Sequence, residues 1–142
     1  MAIKGATLLH EWFDEVWNKQ NAKTIDRLAT PDAIVHGLVD EQGKEVRGVE
    51  AFKKFHRQFL SAFPDINVEV VDTISEGEKL VARCIVRGTH QGDGLGIKAT
   101  DRKIEFAGAC TVRIRNGKIV EAWNDFDFLT MHRQLDSLKL LS

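Results

Sequence analysis

The chain has 142 residues, 21 acidic against 20 basic, a formal net charge of -1 and two cysteines. That length suits one domain over residues 1–142, large enough to close a core and leave a ligand-sized hollow inside it. Interspersed charges give no basic stripe for a nucleic-acid backbone, and no segment has the uncharged apolar length of a membrane helix, so a cytoplasmic protein without nucleic-acid or membrane partners is expected.

In chain order, Leu9, Trp12, Phe13, Val16 and Trp17 recur at helical spacing between about 6 and 20, with Glu11, Asp14, Glu15 and Lys19 between them. Asn21 offers a cap for a short second helix carrying Ile25, Leu28 and Ala29, which Thr30-Pro31 should end because the residue before proline avoids the α region. A strand is expected over 32–39, with His36 inside its apolar run, then a polar loop over 40–45. A third helix over about 49–62 lines up Phe52, Phe55, Phe59, Leu60 and Phe63, and Pro64 closes it.

The remainder reads as antiparallel sheet: 66–75, 79–91, 103–115 and 118–126, with Asn116-Gly117 as a hairpin turn whose two positions both want positive φ. The Gly-rich stretch 91–97 lacks a following helix and a Gly-Lys-Ser/Thr, so it reads as a flexible loop at a cavity mouth and not as a phosphate cradle. A helix from Phe128 places Met131, Leu135 and Leu138 on one side. Helices followed by hairpins point to an α+β fold, a curved antiparallel sheet wrapped around the N-terminal helices into a cone with an apolar pocket.

The candidate chemistry gathers around 117–129. Strand alternation sorts Ile119, Glu121, Trp123, Asp125 and Asp127 onto one face and Val120, Ala122, Asn124 and Phe126 onto the other. If the Trp123 face lines the hollow, Asp127 sits at its rim, where lost hydration would raise its pKa and suit it to be a base, with Asp125 as substitute. The competing role for Asp127 is to cap the helix at Phe128. His90 shares the smaller, more apolar face of its strand beside the Gly-rich loop and is drawn towards the pocket, whereas His36 fits a pocket and a satisfied core position equally well. His10, His56 and His132 have charged or polar helix neighbours that fit surface positions. Arg113 shares a face with Thr111 and Arg115, opposite Phe106, Cys110 and Val112, and so points to solvent unless a bulge re-aims it. Cys84 and Cys110 lie in apolar strands and read as reduced, buried thiols. Scattered acids, no His-x-x-x-His on a helix, no Cys-x-x-Cys and no nucleophile elbow leave carboxylate and imidazole proton transfer, without metal or cofactor.

Several of these features together resemble the SnoaL-like polyketide cyclase family: Glu-Val-Trp-Asn from Glu15, His36, Phe63-Pro-Asp65, Gly88-Thr-His90, and Gly117-Lys-Ile-Val-Glu-x-Trp123 followed by Asp127 and Gln134-Leu135. The resemblance spans nearly the whole chain. It implies the nuclear transport factor 2-like cone, a homodimer, and cofactor-free ring closure of a hydrophobic small molecule by intramolecular aldol chemistry. It carries the acid/base role onto Asp127 and makes His90, His36 and Trp123 pocket-lining positions; His90 is the expected catalytic partner of Asp127, and Asp125, Asn124 and Phe106 are further pocket candidates. The chain has no tyrosine, so the tyrosine oxyanion donor of related ketosteroid isomerases is missing, and an enolate would need His90, Asn124, a protonated acid or water. Two alternatives stand beside the cyclase. One is a binding module using the same pocket, and the other is an epoxide hydrolase or isomerase, which would need Arg113 turned inward.

Overall fold

The computed structural model describes residues 2–40 and 42–137. Helix α1 (Ala2–Trp12) runs directly into a π-helical segment, Phe13–Asn18, and α2 (Lys23–Leu28) follows. Strand β1 (Ala29–His36) leads to α3 (Gly48–Ala62), then β2 (Asn67–Glu76), β3 (Lys79–Thr89), β4 (Lys103–Arg115), β5 (Lys118–Phe126) and α4 (Phe128–Gln134). The architecture is the expected α+β arrangement, a curved five-stranded sheet with the N-terminal helices and α3 on one face.

The strand order is β1-β5-β4-β3-β2. Sequential hairpins make β2 to β5 antiparallel, and β1 joins the far edge parallel to β5. The first strand starts earlier than the sequence suggests and contains Pro31, which an edge strand tolerates because its missing N–H leaves no ladder bond broken in the sheet interior. Asn116 and Gly117 take φ of 51° and 77°, as their hairpin turn requires. Leu138 lies outside the described residues, while Met131 and Leu135 are buried as expected.

The core joins α1, the π-helical segment, α3 and the inner sheet face. Leu9, Phe13, Val16 and Trp17 pack against Phe52, Phe55 and Phe59, and these against Val86, Phe106, Cys110 and Val112. Trp17 alone meets Phe52, Phe55, His56 and Phe59 edge-on, with centroids 4.7 to 6.4 Å away. Truncating a ring so placed costs about 3–5 kcal/mol. His56 is part of this wall and not on the surface: it is 1% exposed, and its Nε2 donates to Val16 O at 2.6 Å. Its polar neighbours in sequence hid that position, because α3 turns His56 inward beside Phe52 and Phe59.

An irregularity in β5 decides which side chains enter the core. Ile114 pairs with Ile119 and Arg113 with Glu121, so Val120 is an extra residue between them. A bulge of this kind flips the alternation. Ile119 is therefore buried, while Glu121 and Trp123, which simple alternation puts with it, lie on the outer face.

Candidate functional site

Between the sheet and the helices lies a cavity of about 80 Å³, several times the roughly 10–15 Å³ needed to seat one water. Trp12, Phe13 and Trp17 form its α1 side, Phe52, Phe55 and Phe59 its α3 side, and Phe106, Cys110, Ala122, Asn124 and Phe126 its sheet side, with Phe128 at the start of α4 closing one end. No Asp, Glu, His, Lys or Arg lines it among the described residues, and Asn124 is its one carboxamide. Cys110 and its neighbour Cys84 are free, and burial pushes both thiols up, Cys84 to about 12, so neither is a thiolate nucleophile near neutral pH.

Of the residues expected at a catalytic site or pocket, Asp127, His90, His36, Trp123, Asp125, Asn124 and Phe106, the structure brings Phe106 and Asn124 to the cavity. Asp127 is the helix cap. Its Oδ1 accepts from Thr130 N at 3.0 Å and its Oδ2 from the Thr130 hydroxyl at 2.6 Å, and these bonds hold its carboxyl below the usual range. A carboxylate engaged in this way, exposed and acidified, is the opposite of the dehydrated base expected at a rim. Asp125 pairs opposite Ala109 on the outer face, and with Asp127 it edges a shallow outer groove that includes Val71, Arg83 and Ile85.

Trp123 and His36 are also outside the cavity. His36 stacks on Trp123 with centroids 5.4 Å apart, and its Nε2 lies 2.7 Å from Glu121 Oε2. Arg113 and Lys79 approach the same indole, at 5.9 and 5.3 Å from its centroid. This cluster belongs to the convex side because β5 turns Ala122, Asn124 and Phe126, and not the Trp123 row, towards the helices. Arg113 points outward as alternation predicts, 3.8 Å from Glu121, so the epoxide-opening arrangement lacks its inward arginine.

His90 is fully buried but absent from the cavity wall. Thr100 N–H donates to its Nδ1 at 3.2 Å, which places the proton on Nε2, and the ring packs on Phe63. The Gly-rich loop is likewise not at a mouth. Gln91 N and Gly92 N donate to Ala62 O, so the loop caps the last turn of α3, whose terminal carbonyls have no partners within the helix. Trp12, Trp17 and Phe128 are wall residues that sequence reasoning left as helix faces. Their signal was the number of large rings on α1 and α3, more than one packed layer absorbs.

Among the described residues no group of three or more His, Cys, Asp or Glu could hold a metal ion, and no helix is long and apolar enough to cross a membrane.

Similar folds have been solved. TsrD from Streptomyces laurentii superposes with a TM-score of 0.83 at 25% identity, covering 97% of this chain and 98% of that one. AclR from Streptomyces galilaeus, a proposed hydroxylase, gives 0.81 at 26%, covering 100% and 90%. IdmH from Streptomyces antibioticus, a proposed polyketide cyclase, gives 0.78 at 28%, covering 93% and 98%. No curated protein sequence matches the chain. The family model of the SnoaL-like polyketide cyclases matches residues 7–135, and on that match the chain belongs to the SnoaL-like polyketide cyclase family.

Proposed function

We propose that this chain holds a neutral, largely apolar small molecule in the cone cavity, and that it promotes ring closure by confining a flexible molecule against the aromatic wall. The observation that carries this reading is the wall itself, with aromatic rings on three sides and no Asp, Glu, His, Lys or Arg among its described residues. A charged ligand would lose its hydration there without gaining a partner, whereas an apolar one gains about 25 cal/mol for each Å² it buries. Holding two reacting ends in near-attack geometry can supply as much as roughly 7–11 kcal/mol of a barrier without proton transfer. The aldol reading on Asp127 is weaker for this chain, because that carboxylate faces away from the cavity and caps α4. The binding-only reading shares the same pocket and differs only in whether the bound molecule reacts.

The homodimer belongs to the same proposal. The outer sheet face leaves Ile74 66% exposed beside paired charges such as Arg83 with Asp72, which suits back-to-back packing of two copies. Light scattering of the purified chain tests it.

Calorimetry with naphthalene and 2-naphthoate tests the pocket. Naphthalene binds and the anion of similar size does not, Ala122→Phe or Ala33→Phe blocks binding, and Asp127→Asn leaves it unchanged. Preferential binding of 2-naphthoate, or loss of naphthalene binding in Asp127→Asn, would reverse the reading.

A further inference from the structure

The cavity's carboxamide has a fixed direction, and its cause lies in β1. Gly37 follows the strand with φ of 87° and packs so tightly on β5 that an added Cβ would stand 2.0 Å from the Asn124 backbone oxygen. That approach brings His36 O to 3.0 Å from Asn124 Nδ2. A carbonyl oxygen can only accept, so the amide nitrogen must be the atom facing it, and the assignment of nitrogen and oxygen follows from chemistry. Asn124 stands opposite Cys110 and lines the cavity, so with Nδ2 engaged on β1 its Oδ1 is the amide atom left for the cavity, and no donor among the described residues bonds to it.

The polar point of the cavity is thus a neutral acceptor held in place by the backbone of β1. Resting on the pocket reading above, we propose that the ligand presents a hydrogen-bond donor, a hydroxyl, enol or ring N–H, to Asn124 Oδ1. A ketone carbonyl or carboxylate at that point would set acceptor against acceptor in apolar surroundings, where neither could be satisfied. An enolate oxygen would meet the same lone pairs, so Asn124 Oδ1 recognises the protonated, neutral form of such a group.

Indole and benzofuran test this, because they match in size and shape and differ in a donor N–H against an oxygen. A wholly apolar cavity favours benzofuran, whose transfer from water loses no strong hydrogen bond. With Oδ1 open, the wild-type chain binds indole about five- to tenfold more tightly in calorimetry, the gain from one neutral hydrogen bond. Asn124→Leu reverses the order while still binding benzofuran. Benzofuran binding as well as or better than indole to the wild-type chain overturns the donor proposal, whether or not the leucine variant folds. Failure of both indole and benzofuran to bind wild type overturns the pocket reading itself, and so separates the two.

Discussion

Ala122, Asn124 and Phe126 line an aromatic cavity, while Glu121, Trp123 and Asp125, interleaved with them on the same strand, meet a convex face of ion pairs. The two rows have similar backbone geometry, and each pairs with β4. Their chemistry diverges because helices cover one face only. A carboxylate on the outer row keeps its water, whereas a polar group on the inner row must find a partner or wait for a ligand. Asp127, just past the end of the strand, belongs to the outer world by virtue of its cap.

The sharpest test of this contrast strikes the seam between β1 and the inner row. Gly37→Ala forces a side chain into the Asn124 backbone at a positive φ, and the left-handed conformation alone costs roughly 1–2 kcal/mol. The collision adds to that, so urea unfolding shows a loss above about 2 kcal/mol together with a weakened preference for indole.

A smaller effect separates the two rows directly. Trp123→Ala removes the His36 stack and the contacts of Lys79 and Arg113, lowering the unfolding midpoint by about 1 kcal/mol of stability while leaving naphthalene affinity within about twofold. Ala122→Phe, one residue away, does the reverse, abolishing binding with the fold retained. Loss of naphthalene binding in Trp123→Ala would mean that the rows are not independent.

The helical wall supplies a pH signature. Burial lowers the pKa of His56 in the folded state relative to the unfolded value of about 6.5. The unfolded chain therefore takes up the proton first, so the stability His56 contributes is complete above about pH 6.5 and declines as pH falls from there towards the folded-state pKa. Thermal melts from pH 8 to 5 show this fall, and His56→Gln flattens it. A fall of equal size in the variant would assign the effect elsewhere.

The smallest change is on the outer side. Asp127→Asn keeps a cap and leaves melting and ligand affinity nearly unchanged, whereas Asp127→Ala lowers the melting temperature by a few degrees and still leaves affinity alone. The carboxyl of Asp127 is held below its unfolded value, so its contribution is present above about pH 4 and lost as pH falls through the folded-state pKa.

Much of the fold was legible in local pattern. The apolar stripes of α1 and α3, the hairpin at Asn116-Gly117 and the family motif from Gly117 each follow from neighbours in the chain. The site was less legible. His56 looked like a surface residue because its neighbours are charged, yet its helix turns it onto Val16. Asp127 looked equally like a base and a cap, and Thr130, three residues on, made it a cap. Trp123 is a pocket position by family resemblance and unbroken alternation, and instead its ring is covered by His36 on the outer face.

By itself the sequence determined the elements, their approximate bounds and the alternation within β5 from Glu121 onward, since hydrophobic periodicity and turn chemistry act over a few residues. Which set faces the helices was decided only in three dimensions, because one extra residue at Val120 and the side on which α1 and α3 pack are set by contacts between segments far apart in the chain. The direction of the Asn124 carboxamide is likewise tertiary, fixed by a carbonyl 88 residues earlier.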